Sequence, residues 1–271
     1  MKISSKTDKG VVRSNNEDSL LTIPPWNSLA ISKKACLFLV ADGMGGQKAG
    51  EIASKIAVEF TASWFKKSDL DEITTDLVED LINSANEQVW EYSRAHPETN
   101  GMGTTFSSLL IKGNKAIIGH IGDSRIYRLR NNELVQLTND HSIVGEQLRL
   151  GKITPEEARV HPARGILSKV LGARQFIKAD IFETEIQLND EFVLCTDGVY
   201  SMIDGEKINL LIKCNSPETL ASKLVDASNE AGGNDNSTVI AFKLDEMPIT
   251  FPSMFSISRI LKSLYNSYLN N

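Results

Sequence analysis

The sequence predicts an α+β protein with antiparallel sheets. Three observations carry this. Short β-type runs follow one another from Thr105 to Leu137 with only turn residues between them, the pattern of strands joined by tight hairpins. Two further strand-like runs, Cys36 to Ala41 and Glu191 to Cys195, each lead into an Asp-Gly pair. Three segments, at 49–60, 73–89 and 220–228, repeat apolar residues at helical spacing, so helices are expected to cover the sheets.

Taken in order, the first twenty residues contain Gly10-Val11-Val12-Arg13-Ser14-Asn15-Asn16-Glu17-Asp18. An Arg followed by two carboxylates suits a phosphate beside a cation, although this segment alone reads more readily as a solvated surface loop. Pro24-Pro25 interrupts regular structure before the apolar run at 36–41. That run is expected to end at Asp42-Gly43-Met44-Gly45-Gly46. A carboxylate at a strand end, followed by small residues that admit backbone close to a ligand, suits a metal or phosphate site; the same residues are also ordinary turn chemistry.

Ala49, Ile52, Ala53, Ile56, Ala57 and Phe60 then mark one helical stripe, and Ile73, Leu77, Leu81, Ala85 and Val89 a second. The runs Thr105 to Ile111, Lys115 to Ile121, Arg125 to Leu129 and Glu133 to Leu137 read as one antiparallel meander, with Asp123 in the turn Gly122-Asp123-Ser124. Residues 141–175 break this rhythm. Thr154-Pro155-Glu156-Glu157 starts a helix with Thr as cap, Pro in the first turn and Glu placed to close a capping box, so the segment reads as a small helical insertion and a candidate flap. Strands resume at 176–185 and 191–195, the latter ending in Thr196-Asp197-Gly198. Ser216-Pro217 begins a helix with stripe Leu220, Ala221, Leu224, Val225 and Ser228, which Gly232-Gly233 stops. Asn234-Asp235-Asn236-Ser237 leads into the closing strand at 238–244.

The 271 residues carry 29 Lys plus Arg against 35 Asp plus Glu, a net charge of -6 that argues against a nucleic-acid backbone as partner. Cys36, Cys195 and Cys214 are unpaired in pattern, two of them inside apolar runs, so reduced core thiols are expected. No run has the length of a signal sequence or a membrane span. A cytoplasmic protein is expected.

Asp42, Asp123, Asp197 and Asp235 all fall where strands meet turns, with Glu17 and Asp18 nearby. Carboxylates that converge repel each other unless a cation neutralises them. An all-oxygen set without His or Cys selects hard ions, Mg²⁺ or Mn²⁺.

In order and approximate spacing, Gly10-x-x-Arg13-x-x-Asn16-Glu17-Asp18, Asp42-Gly43-Met44-Gly45-Gly46, Gly101-Met102-Gly103-Thr104-Thr105, Gly119-His120-Ile121-Gly122-Asp123-Ser124-Arg125, Asp140-His141, Cys195-Thr196-Asp197-Gly198 and Gly233-Asn234-Asp235-Asn236-Ser237-Thr238 resemble the bacterial metal-dependent Ser/Thr protein phosphatases of the type 2C (PPM) class. The resemblance covers about residues 1–245. It implies a four-layer α/β/β/α sandwich, two packed antiparallel sheets flanked by helices, with residues 141–175 as the flap. It also implies hydrolysis of phosphoserine and phosphothreonine, with a water or hydroxide bridging two Mn²⁺ or Mg²⁺ ions attacking phosphorus directly. By that likeness Asp42 bridges both ions and the Gly43 carbonyl ligates one, while Asp197 and Asp235 ligate the other. Asp123 with Asp197 marks a third metal position, Arg13 holds the substrate phosphate, and Glu17 or Asp18 acts through the second ion. The expected partners are a phosphorylated protein and the Ser/Thr kinase it counteracts, with the enzyme a monomer. Met44 stands where many eukaryotic members carry a His proposed as general acid. His141 is a candidate for that role or a structural residue.

Beyond 245, Ile257, Ile260, Leu261, Leu264, Tyr265 and Tyr268 form one stripe of an expected helix at about 254–269, and no acid occurs from Ile249 to Asn271. This tail is expected to dock on its own domain, to bind a partner, or to make a weak contact with a membrane surface, its stripe being too short to span a bilayer. Two other functions fit less well: a catalytically silent phosphoprotein-binding module, which has no need of four metal carboxylates, and a hydrolase of small phosphate esters or nucleotides, for which no nucleotide loop is present.

Overall fold

A computed structural model of the chain describes residues 1–24, 27–45 and 49–245. In chain order the elements are β1 (Lys2–Asp8), β2 (Asp18–Ile23), α1 (Ser28–Lys33), β3 (Cys36–Met44), α2 (Ala49–Lys67) and α3 (Thr75–Ala95). Next come β4 (Gly103–Thr104), β5 (Phe106–Lys112), β6 (Lys115–Ile121), β7 (Arg125–Arg130), β8 (Glu133–Gln136), α4 (Ile143–Arg149) and α5 (Pro155–Val160). The chain continues with β9 (Asp180–Glu185), β10 (Glu191–Cys195), α6 (Asp197–Tyr200), α7 (Gly205–Cys214), α8 (Pro217–Glu230) and β11 (Ser237–Lys243). The tail helix expected at about 254–269 lies outside the described residues. No described helix is long and apolar enough to cross a membrane.

The strands form two antiparallel sheets. One has the order β1-β11-β10-β7-β8; the other runs β2-β3-β5-β6-β9, with β4 added against the end of β3. The strand β3 is apolar at successive positions because both its faces are covered. Cys36, Phe38 and Val40 point between the sheets toward Leu109, Ile118, Phe192, Ile240 and Phe242, with Phe38 and Phe242 stacked at 4.2 Å. Leu37 and Leu39 point outward to Ala53 and Ala57 of α2 and Leu81, Ile82 and Ala85 of α3. On the opposite outer face Val193, Val239 and Ala241 meet Leu220, Ala221, Leu224 and Val225 of α8. The result is the four-layer sandwich that the resemblance implied, with its helical stripes buried as spaced. Asn86, inside the buried face of α3, is satisfied by donating to the carbonyls of Arg174 and Gln175 and accepting from the Gly172 N–H.

Four local expectations change. The runs between 105 and 137 are not one meander: β5 and β6 pair in one sheet, β7 and β8 in the other, and Gly122 (φ +101°) with Asp123 carries the chain across. The strand expected to stop at Ala41 continues to Met44, because Gly43 and Met44 pair with Thr104 and Gly103. The first twenty residues supply β1 and β2 on either side of the Arg13 loop. The strand expected from 176 begins at Asp180.

Candidate active site

The two sheets present their ends side by side, and the acidic residues lie along that seam. Asp42 on β3 sits directly opposite Asp18 on β2, and opposed residues of paired strands project from the same face. The backbone at Asp42 is held three times. Its N–H donates to Thr105 Oγ1 at 2.8 Å, and its carbonyl accepts from the Thr105 N–H at 2.8 Å and Thr104 Oγ1 at 2.9 Å. Asp18 is reached from the other sheet. Thr196 Oγ1 donates to Asp18 Oδ2 at 2.8 Å while accepting the Thr238 N–H at 3.0 Å. The second oxygen, Asp18 Oδ1, is buried without a hydrogen-bond partner.

Asp197 opens α6 immediately after β10, and Asp235 lies just before β11. Asp235 Oδ1 accepts from the Asn236 N–H at 2.9 Å, and its Oδ2 from Arg13 Nη2 at 2.7 Å. Asp123 sits in the crossing between sheets, its carbonyl held by Tyr200 Oη at 3.0 Å. Two close backbone approaches bring these loops together. A Cβ on Gly43 would lie 2.1 Å from the Gly50 carbonyl oxygen, and one on Gly198 would lie 1.9 Å from that of Asn236. Only glycine permits α2 to start against the end of β3, and α6 to sit on the 234–236 turn.

The electrostatics of the set are those of mutual repulsion. Burial, then Asp18, Asp197, Asp123 and Asp235, hold the Asp42 carboxyl well above the usual carboxylate range. Burial pushes Asp18 up to about 7, with Asp197 and Asp235 adding to it against the two threonine hydrogen bonds. Asp123 rises to about 8 through burial and Asp197, and Asp197 to about 6 through burial and Asp235. Four carboxylates that resist losing their protons together, with Asp235 beside them and one oxygen of Asp18 buried and unpaired, are stabilised by a hard cation. The donor set therefore fits Mg²⁺ or Mn²⁺. Among the described residues no group of three or more His, Cys, Asp or Glu side chains is already placed to hold a metal ion.

The structure thus brings Asp42, Asp18, Asp123, Asp197 and Asp235 within electrostatic reach of one another and joins Arg13 to Asp235. Glu17 stands apart from that inner set. Partial burial raises its carboxyl while Arg13 opposes the rise, and its Oε2 packs where a Cβ of Gly50 would be. Between the two acids that sequence left open, Asp18 is the one facing Asp42. His141 is buried beneath the site: its Nδ1 accepts from the Gly122 N–H at 3.2 Å and its Nε2 lies 3.1 Å from Asp180 Oδ2. Lys169, 2.8 Å from Asp180 Oδ1, completes this group.

Sequence reasoning missed Asn236. Its Oδ1 accepts from the Glu17 N–H at 2.8 Å, and its Nδ2 donates to the carbonyls of Asn15 at 2.8 Å and Lys9 at 3.0 Å. It fastens the Arg13 loop to the turn bearing Asp235. Gly10 (φ +76°) and the Val11 N–H bond to the Gly233 carbonyl at 2.8 Å complete the junction. Arg125 was missed as well. It pairs with Asp140 at 2.7 Å and lies 3.6 Å over the Tyr200 ring, bracing the residue that holds Asp123. Both stand inside recognised motifs, but an Asn in a turn and an Arg opening a strand carry no local sign of these long-range partners.

A cleft of about 700 Å³ runs from Asp123, Asp197 and Asp235 to α4 and α5. A larger groove, about 880 Å³, follows the outer face of α3 between Trp90 and Phe176 and holds none of these carboxylates.

A protein phosphatase 2C family profile matches residues 13–228. The chain is 35% identical over 247 residues to the serine/threonine phosphatase stp of Listeria monocytogenes, covering 89% of this chain and 94% of that one. Among solved structures, it is similar to serine/threonine phosphatase Stp1 from Staphylococcus aureus, with a TM-score of 0.82 at 31% identity over 90% of this chain and 94% of that chain. It is also similar to the catalytic domain of serine threonine protein phosphatase PstP in complex with two manganese ions, with a TM-score of 0.76 at 30% identity over 89% and 96% of the two chains.

Proposed function

Since the chain belongs to the protein phosphatase 2C family and is a metal-dependent protein serine/threonine phosphatase, we propose that Asp42, Asp197 and Asp235, with the Gly43 carbonyl, hold two Mn²⁺ or Mg²⁺ ions. Asp42, whose carboxyl feels all four of the other aspartates, would be the ligand held in common. Asp123 with Asp197 would offer a third position, and of Glu17 and Asp18 it is Asp18, opposite Asp42, that would act on the second ion directly or through water. When bound, two such ions supply Lewis acidity at phosphorus and lower the pKa of an attacking water.

The remaining work falls to the chain itself. Arg13 is about half exposed on the lip of the site and uses one guanidinium nitrogen on Asp235, so its other donors can fork onto the phosphate oxygens of a phosphoserine or phosphothreonine. Asn236 fixes where that Arg stands. Both ring nitrogens of His141 are engaged with Gly122 and Asp180, which makes it a structural residue, and no His lines the cleft among the described residues. Protonation of the departing alkoxide is left to water. We further propose that residues 1–245 are the catalytic unit and 246–271 a tail outside it. In this reading the enzyme is a cytoplasmic monomer that opposes a Ser/Thr kinase.

The observation that carries this reading is the five-carboxylate cluster drawn from both sheets, with its unpaired Asp18 oxygen. The test is phosphate release from a phosphothreonine peptide with and without Mn²⁺, for the native chain and Asp197→Ala, alongside calorimetric titration of Mn²⁺ into each. Turnover that needs the ion, and loss of both turnover and ion binding in the variant, is the expected result. A folded native chain that binds Mn²⁺ and releases no phosphate would favour the silent phosphoprotein-binding reading instead.

A further inference from the structure

The wall of the cleft facing the carboxylates is basic. Arg159 and Arg164 both line it from the flap, on α5 and just beyond. The other arginines at or near the site have carboxylate partners: Arg13 on Asp235, Arg125 on Asp140. Among the described residues, neither Arg159 nor Arg164 makes an ion pair. The lining acids are otherwise committed. Asp140 is held by Arg125, Asp204 caps α7 by accepting the Lys207 N–H at 2.8 Å, and Asp123, Asp197 and Asp235 belong to the cluster described above.

The backbone that carries the two arginines is held by local hydrogen bonds. The capping box between Thr154 and Glu157 sets the start of α5, and Arg164 Nη1 donates to the Arg159 carbonyl at 3.2 Å, tying the end of the helix to the following turn. That turn is joined to α4 by the Ile143 N–H on the Ile166 carbonyl at 3.0 Å. Leu148, Ala158 and Val144 line the same wall, while both arginines are exposed to solvent, so a charge-assisted hydrogen bond made there is sensitive to salt.

We infer that Arg159 and Arg164 form a second anion subsite in this cleft, selecting phosphoprotein segments that carry another acidic side chain a few residues from the phosphorylated one. The inference rests on the phosphatase reading above and names the substrate class of that same site. A cleft of this volume is on the order of 10 Å across, or about three extended residues. The second anion can be a carboxylate or a second phosphate, because an arginine fork accepts both.

The test compares phosphothreonine peptides that are neutral elsewhere, carry one Asp two to four residues to either side, or carry a phosphoserine there. Each is assayed with the full chain in Mn²⁺. The native enzyme is expected to favour the acidic peptides in kcat/KM by roughly three- to tenfold, chiefly through KM and less so at high salt. The ratio falls to about one in the Arg159→Ala/Arg164→Ala double variant, inverts in Arg159→Glu/Arg164→Glu, and returns in large part with Lys at both positions. A gain with phosphoserine alone assigns the subsite to phosphate; a gain with both assigns it to negative charge. Equal turnover of all peptides by the native chain, or a preference that survives the double alanine variant, overturns the subsite while leaving the phosphatase reading intact. No turnover of any peptide, nor of a small aryl phosphate, overturns both.

Discussion

Replacing Asp18 with Asn should stabilise the metal-free protein and weaken the metal-loaded one. The native carboxyl ionises at about 7 against 3.8 for an unperturbed Asp, chiefly because it is buried. The sign follows from linkage: the folded form holds its proton longer, so the unfolded chain ionises first and stability falls as pH rises from about 4 toward 7. At 1.36 kcal/mol per pH unit, that penalty reaches about 4 kcal/mol at pH 8 and is only about 1 kcal/mol at pH 4.5. An Asn cannot ionise, and its Oδ1 can keep the hydrogen bond from Thr196 Oγ1. Urea unfolding in EDTA should therefore show Asp18→Asn more stable than the native chain by up to about 4 kcal/mol at pH 8, with the gain shrinking to about 1 kcal/mol at pH 4.5. In excess Mn²⁺ at pH 8 the order should close up or reverse, because the native chain gains more from the ion. An unchanged midpoint in EDTA, a gain equal at both pH values, or equal stabilisation of both proteins by Mn²⁺ would refute the argument that this buried charge is compensated by a cation.

Three other outcomes follow from the geometry. Gly198→Ala places a methyl 1.9 Å from the Asn236 carbonyl oxygen; it should lower stability by about 1–3 kcal/mol in urea unfolding and weaken Mn²⁺ binding in calorimetry, since the turns bearing Asp197 and Asp235 must separate. Asn236→Ala leaves the Glu17 N–H and the carbonyls of Asn15 and Lys9 without their shared partner, which should cost about 2–3 kcal/mol and raise KM for a phosphopeptide as Arg13 loses its anchor. Burial pushes His120 down to about 4 from 6.5, so the unfolded chain takes up a proton first as pH falls; its contribution is constant above about 6.5 and declines by about 3 kcal/mol between there and pH 4. The difference in unfolding free energy between the native chain and His120→Gln, followed across that window, should show this slope.

Much of the architecture was readable because it rests on local periodicity. The stripes of α2, α3 and α8 and the runs of β3, β5, β6 and β10 are patterns of burial, and each was found with its core face inward. What escaped was non-local. β1 is a polar edge strand whose Ser4 hydroxyl bonds α8 at the Pro217 carbonyl, and nothing in Lys2–Asp8 alternates strongly enough to announce it. The passage from β6 to β7 looks like any hairpin until the partner strands are known, since Gly122-Asp123-Ser124 would serve either geometry. At the site, the aspartates stood out because carboxylates at the ends of apolar runs are unusual. The choice between Glu17 and Asp18 did not, because it depends on the register that sets Asp18 opposite Asp42. Thr196, which joins that register to the opposite sheet by a hydroxyl hydrogen bond, has no sequence mark of its own.

The pairing of β1 with β11 has a consequence for the order in which the protein can be made. Lys2–Asp8 waits for Ser237–Lys243 before it has a neighbour on the sheet, and Arg13 waits for Asp235 across almost the whole chain. On a ribosome, β1 finds its place only after the more than two hundred residues that separate it from β11 have been made. Contacts so distant in sequence form slowly, and until they form, an emerging chain exposes strand edges and incomplete acidic loops. A nascent chain that has not yet reached residue 235 therefore lacks both the partner strand of β1 and the carboxylate that Arg13 pairs with.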